Sequence, residues 1–139
     1  RTTLLMLYDA LITSLPGMDK SKPAPGPSFL KGYLETQGFK IKVIDGNQLD
    51  TLDNIHKEIA KYDFRWLGIS VFSYEQKDDA LKLGERYENV LYGGSGVDIA
   101  WPSKYYITGE GEYAFVEFLN NNFDYPGING KQPKQLSND

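Results

Sequence analysis

Short apolar runs alternate with stretches of helical periodicity along this sequence, and that alternation constrains the fold more than any other feature. Strands are predicted where apolar residues run together, and helices where they recur at spacings of three and four. Strands separated by helices favour a parallel sheet that helices cover on both faces. We expect an α/β fold of the flavodoxin-like (Rossmann-like) kind, a doubly wound sheet of five parallel strands in the order 2-1-3-4-5. The predicted strands are residues 4–8, 39–44, 66–72, 89–92 and 105–108.

The chain is the size of one domain, with 139 residues. Residues 1–122 are predicted to form the α/β domain, and the polar residues 123–139 a tail or a linker toward a further domain. Residues 9–27 contain several prolines and glycines and are predicted to form a long loop, either a lid or a simple connection. The chain does not begin with Met, so we expect a processed or excised piece.

Composition excludes several kinds of site. There is no cysteine, which removes disulfides, thiol catalysis, zinc–thiolate sites and iron–sulfur ligation from this chain. The formal net charge of −4 does not suggest a nucleic-acid partner. No apolar run approaches the roughly 20 residues of a membrane span, and a cytoplasmic location is expected. The single histidine, His56, is predicted to be a surface or hydrogen-bonded residue of the second helix, so no metal-ligand set is assigned.

Glycines cluster where two of the predicted strands end. Residues 93–96 (Gly-Gly-Ser-Gly) follow the fourth strand, and residues 109–112 (Gly-Glu-Gly-Glu) follow the fifth. In parallel sheets ligands bind outside the carboxyl ends of the strands, where glycine lets the backbone approach them closely. Each segment is predicted either to contact a ligand or to act only as a tight turn or a helix cap. The carboxylates of Glu110 and Glu112 favour a ligand with hydroxyls or amides, or a partner's basic groups, over a phosphate.

Two serines flank Phe72 at the end of the third predicted strand. Ser70 lies inside the apolar run, so its hydroxyl needs a partner, which is either backbone or a ligand nitrogen. Ser73, with Gln76 three residues later, has the form of a capping box that opens the next helix. The glycine spacing of phosphate-binding loops is absent after the first strand, which disfavours a flavin or another nucleotide as the ligand.

Several segments, taken in order, carry a resemblance to a known family. They are residues 25–34 (Pro-Gly-Pro-Ser-Phe-Leu-Lys-Gly-Tyr-Leu) followed by Gly38-Phe39, 67–73 (Leu-Gly-Ile-Ser-Val-Phe-Ser), 92–95 (Tyr-Gly-Gly-Ser), 109–112 with Phe115, and 126–130 (Pro-Gly-Ile-Asn-Gly). Together they resemble the amino-terminal cobalamin-binding-like domain of cobalamin-dependent radical S-adenosylmethionine enzymes. The order and spacing of these segments are more specific than any one of them.

The resemblance implies a domain that holds cobalamin in its base-off form, with the nucleotide tail buried between strand ends and helices. Ser70 and Phe72 resemble the family's Ser-x-Leu segment beside the benzimidazole of the tail. The histidine ligand of the D-x-H-x-x-G motif is absent from residues 9–14, so Leu11 or a neighbour would face the lower side of cobalt. The implied cofactor contacts are Leu11, Ser70, Phe72, Ser73, Gly93, Gly94, Ser95, Gly109, Glu110 and Gly111.

The implied function is a cobalamin-binding accessory domain of a radical enzyme that transfers methyl groups or performs a related reaction. The cluster-binding C-x-x-x-C-x-x-C motif is absent, so this chain alone is not predicted to be catalytic, and a radical core domain is the expected partner. The alternative is a ligand-free structural module that packs on the radical core. That alternative predicts a cleft filled by aromatic side chains, among Tyr8, Phe72, Tyr74, Trp101 and Tyr105.

Overall fold

A computed structural model describes residues 7–17, 25–109 and 111–130 of the chain. Within them, parallel strands form one sheet in the order β2-β1-β3-β4. The predicted α/β fold with a parallel sheet is confirmed. The strands are β1 (Leu7–Thr13), β2 (Ile41–Ile44), β3 (Asp63–Ser70) and β4 (Val90–Gly93), and the helices are α1 (Pro25–Thr36), α2 (Leu52–Ile59), α3 (Lys77–Gly84) and α4 (Glu112–Leu119), with short 3-10 turns at Gly46–Gln48 and Tyr74–Gln76.

Helices cover both faces of the sheet. Leu11, Leu67 and Ile69 face one way and pack with apolar residues of α2 and α3. Ile12 and Leu91 face the other way and pack with apolar residues of α1 and α4. The two clusters follow from the alternation of side chains along each strand. No helix of the described residues is long and apolar enough to cross a membrane.

The first strand ends later than predicted, and residues 4–6 of the predicted strand lie outside the described residues. Residues 9–13 were expected to start a long loop, but β1 spans Leu7–Thr13 and pairs with β2 and β3. Asp9 reads as the end of an apolar run, yet its carboxylate accepts a hydrogen bond from the Lys40 backbone at 2.7 Å and lies 3.7 Å from Arg65. Those contacts let an acid stand within the strand. Residues 18–24 of the expected loop lie outside the described residues.

The predicted fifth strand is reduced to one parallel bridge, between Tyr92 and Tyr106. On the outer side, the backbone N–H of Tyr106 donates to the Asn129 side chain at 2.8 Å. Asn129 thus covers the outer edge of this segment at Tyr106. The five-stranded form of the sheet is not confirmed.

Residues 123–130, assigned by sequence to a tail or linker, cover this edge of the sheet. Ile128 is fully buried and forms an antiparallel bridge with Ile107. The Phe123 ring lies 5.0 Å from that of Phe118 and 5.6 Å from that of Tyr105. Residues 131–139 lie outside the described part of the chain.

His56 is hydrogen-bonded, as the sequence predicts. Its Nδ1 lies 2.6 Å from the Tyr87 hydroxyl, and the two rings stack with centroids 5.6 Å apart. Burial lowers the pKa of His56, and nearby Arg86 lowers it further. The contact joins α2 to the residues that follow α3, which is a structural role.

Buried Tyr92 makes stability sensitive to alkaline pH. Burial, with the Glu85 carboxylate, raises the pKa of Tyr92 to about 12, whereas a tyrosine in the unfolded chain has a pKa of about 10. The stabilisation that neutral Tyr92 contributes is therefore complete below about pH 10 and falls as pH rises toward the pKa of the folded state, by up to about 3 kcal/mol. Urea unfolding at a series of alkaline pH values measures this loss.

Tyr92→Phe is the control, because the other tyrosines also ionise in that range. The variant should lose less stability than the wild type as pH rises. If both lose stability in parallel, Tyr92 is not the group responsible.

Candidate functional site

A groove of about 460 Å³ lies between the sheet and helices α1 and α4, at the carboxyl ends of β3 and β4. Binding sites for small molecules commonly enclose about 300–1,000 Å³. One wall is the start of α1, with Pro27, Phe29 and Leu30, and the opposite wall is the start of α4. The groove therefore has the size and position of a ligand site in a parallel α/β fold.

The floor of the groove is open because small residues stand side by side on neighbouring strands. Ser70 of β3 pairs with Gly93 of β4, one row beyond the pair of Gly68 with Leu91. Residues two apart on a strand share a face, so Gly68, Ser70 and Gly93 all lie on the side of Leu91, toward α1 and α4. A Cβ at Gly93 would meet no atom within 4 Å. The sheet surface here lacks the side-chain volume that normally fills a core.

The inner end of the groove is apolar and is called the deep row here: Ile12, Gly68, Leu91 and the Phe115 ring. Ile12 and Leu91 flank Gly68 in the sheet register. Phe115 of α4 covers Gly68, with its Cζ 3.4 Å from the place where a Cβ would stand. All these side chains are hydrocarbon, so this end can bury apolar ligand surface.

The outer end, or mouth, is formed by glycines and one carboxylate. Gly94 has a φ of 114° and Gly109 a φ of 76°. Gly111 caps the start of α4, and Glu112 is the first residue of that helix. The three glycines line the mouth with backbone atoms alone, and the Glu112 carboxylate lies at the positive end of the helix dipole. Predicted contact Glu110 lies outside the described residues.

Ser70 carries the unpaired polar group of the floor. It is half-buried, and its hydroxyl makes no hydrogen bond within the part of the chain that the structure describes. The sequence predicts either a backbone group or a ligand nitrogen as its partner, and no backbone group among these residues serves. A ligand in the groove that offers a nitrogen or oxygen can therefore hydrogen-bond to this hydroxyl.

The structure brings five of the predicted contacts together in the groove lining: Ser70, Gly93, Gly94, Gly109 and Gly111. Leu11 is not among the residues that line the groove. It is fully buried within β1, on the face toward α2 and α3, because the strand continues through the residues expected to form a loop.

Phe72, Ser73 and Ser95 also lie outside the groove lining. Phe72 is 73% exposed, and Ser95 donates a hydrogen bond to its carbonyl oxygen, which ties the loop after β3 to the loop after β4. The expected capping box does not form at Ser73. Instead Gln76 accepts a hydrogen bond from the Phe72 backbone at 2.8 Å, and the buried Ser73 hydroxyl has no partner among the described residues.

Sequence reasoning missed the walls of the groove. Phe29, Leu30 and Phe115 were not among the predicted cofactor contacts, although all three line the groove. Gly68 carried a usable signal, since it stands two residues before Ser70 and so shares its face. Within the described residues, no group of His, Asp and Glu side chains could hold a metal ion.

The chain is thus a Rossmann-like α/β domain with a ligand-sized groove at the carboxyl edge of its sheet. No protein-family model matches the sequence, and no curated protein shows significant similarity to it. Solved structures do match by fold. The resemblance to cobalamin-dependent radical S-adenosylmethionine enzymes is confirmed at that level, as follows.

The radical S-adenosylmethionine methyltransferase TsrM from Kitasatospora setae, solved with cobalamin and a [4Fe-4S] cluster bound, matches 87% of this chain at 18% identity and a TM-score of 0.64. Its form with tryptophan and a SAM analogue matches 86% with the same score. Apo OxsB, a cobalamin-dependent S-adenosylmethionine radical enzyme, matches 88% at 18% identity and a TM-score of 0.67. This chain spans only 20–28% of those proteins. The likeness is one of fold.

Alanine should destabilise the protein at one of two neighbouring glycines and leave its stability unchanged at the other. Gly94→Ala forces a positive φ on an L residue and drives its Cβ against the Val71 carbonyl oxygen, which should cost about 2–4 kcal/mol. The added methyl group of Gly93→Ala meets no atom within 4 Å, so the free energy of unfolding should stay within about 0.5 kcal/mol of the wild-type value. Urea unfolding of both variants measures the difference. Equal losses would contradict the described geometry of this turn.

Proposed function

We propose that this chain is a cobalamin-binding accessory domain of a radical S-adenosylmethionine enzyme that transfers methyl groups or performs a related reaction. The groove would take the nucleotide tail of cobalamin in its base-off form. The observation that carries the proposal is the open floor at Ser70 and Gly93, in a fold shared with an enzyme solved with cobalamin bound.

The residues of the groove fit such a group. The deep row offers hydrocarbon surface to a flat aromatic base, and Ser70 offers one hydroxyl to a ring nitrogen. At the mouth, a Cβ at Gly109 would meet no atom of this chain, so the bare backbone there can lie close to a ligand. Glu112 can accept hydrogen bonds from hydroxyl or amide N–H groups, which the ribose and the corrin amides supply.

Cobalamin, when bound, supplies a carrier for the methyl group. The residues of this chain bind and orient it and shield its base from water. No histidine of this chain is proposed as a cobalt ligand, because His56 lies on α2 and is engaged with Tyr87.

The radical chemistry is assigned to another part of the enzyme. This sequence contains no cysteine to hold an iron–sulfur cluster, and it spans 20–28% of the similar enzymes. The proposed partners are therefore the cofactor itself and a radical core domain.

The ligand-free module remains the alternative hypothesis, and it requires a filled cleft. Phe72 and Tyr74 are instead 73% and 62% exposed, and Trp101 is buried in the cluster on the opposite face. Tyr105 packs against Trp66 and Phe118 at the sheet edge. None of these rings lines the groove, which favours a binding role.

Gly93→Ala should separate binding from folding. Its methyl group would project into the groove, where a Cβ meets no atom of this chain, and should weaken hydroxocobalamin binding by about tenfold or more. Titration of the pure protein, followed by the absorbance of the corrinoid, measures the affinity. Gly32→Ala, on α1 and outside the groove lining, adds the same methyl group and should bind as the wild type does.

The wild-type titration itself tests the proposal. A red-pink complex is expected on adding hydroxocobalamin to the pure chain. Absence of binding at millimolar cobalamin, with circular dichroism showing an intact fold, would exclude a cobalamin-binding role for this chain.

A further inference from the structure

We infer that the groove selects the base of the corrinoid that it binds, admitting a benzimidazole and rejecting adenine. The inference rests on the proposed function and goes beyond it, since it concerns which member of the corrinoid class fits. It follows from the distribution of polar groups along the groove.

The deep row leaves no polar group for a ligand. Its side chains are Ile12, Leu91 and the Phe115 ring, with Gly68 adding none. Its backbone is occupied as well, because β3 pairs with β1 on one side and with β4 on the other. A ligand edge placed there exchanges water for hydrocarbon and must itself be apolar.

The polar side chains that line the groove lie nearer its mouth. Ser70 lies two residues beyond Gly68, on the same face of β3 and nearer the mouth, and its hydroxyl can hydrogen-bond to one ring nitrogen. Glu112 precedes Phe115 by three residues of α4, about 4–5 Å along the helix axis toward the mouth. The Glu112 backbone therefore lies on the mouth side of Phe115, and its carboxylate is placed to serve the polar part of a ligand rather than the part buried in the deep row.

The two bases differ in what they bring to the deep row. A benzimidazole presents carbon and hydrogen along its outer edge, whereas adenine presents further ring nitrogens and an exocyclic amine. Those groups would lose water and find no partner, at a penalty that corresponds to about 10–100-fold in affinity. Turning adenine round to face Glu112 would bury the sugar and phosphate in the apolar end instead.

Comparative titration of the full 139-residue chain tests this inference. The probes are hydroxocobalamin, its counterpart carrying adenine as the base, and cobinamide, which lacks the nucleotide. Hydroxocobalamin should bind about 10–100-fold more tightly than the adenine form. Cobinamide should bind more weakly than hydroxocobalamin, because nothing then enters the groove.

A matched pair at Gly68 locates the selectivity. A Cβ there would stand 3.4–3.5 Å from Phe115 and Ile12, which is ordinary contact, so both variants should fold. Gly68→Ser places a hydroxyl in the deep row and should narrow the preference for benzimidazole. Gly68→Ala adds volume without polarity and should lower both affinities while leaving their ratio unchanged.

The possible outcomes separate the two proposals. If no corrinoid binds, the proposed function fails and the selectivity fails with it. If hydroxocobalamin binds and the adenine form binds equally well, only the selectivity is overturned. Cobinamide binding as tightly as hydroxocobalamin would also overturn it, since the base would then lie outside the groove. If Gly68→Ser fails to fold, the ratio of the wild-type affinities for hydroxocobalamin and the adenine form decides whether the groove is selective.

Discussion

The pairing of β3 with both of its neighbours is the interaction on which the rest of the structure depends. It sets Ile12, Gly68 and Leu91 in one row and Ser70 and Gly93 in the next. A slip by one residue would turn each of these side chains to the opposite face. Ile69 and Tyr92, which are large and buried, would then stand where the groove lies. The groove is thus a consequence of register as much as of composition.

An open groove beneath two helices leaves their packing to other contacts. The second half of α1 supplies buried Leu34 to the cluster it shares with α4, and the Tyr33 ring meets that of Tyr113 edge to face at 5.6 Å. On α4, Phe118 packs against Trp66 with ring centroids 4.6 Å apart. The helices are therefore anchored away from the groove. Their amino-terminal ends can border an unfilled space without loss of the fold.

The sequence predicts the parts of this site that depend on local pattern. The runs that became β3 and β4 are strongly apolar, and the glycines after β4 and before α4 mark strand ends, so the positions of Ser70, Gly93 and Gly109 follow from them. The first strand was misplaced, because Asp9 looks like a strand end unless its contacts with Lys40 and Arg65 are known. Leu11 was therefore expected in a loop beside the cofactor, whereas it lies within β1. The predicted fifth strand keeps only its bridge to Tyr92, and the residues that cover its outer edge, Ile128 and Asn129, lie about 20 residues further along the sequence.

The attachment of residues 125–129 beside the sheet has a mechanical consequence. The Thr108 backbone N–H donates to the Gly127 carbonyl at 2.8 Å, and the Asn129 N–H donates to the Tyr106 carbonyl at 2.6 Å. Thr108 directly precedes Gly109 at the mouth of the groove. A pulling force on the chain beyond residue 130 would therefore act first on these hydrogen bonds. From Thr108 it would reach Gly109 through a single peptide unit. The hydrogen bonds that close the sheet edge thus also couple the carboxyl-terminal segment to the groove over a short distance.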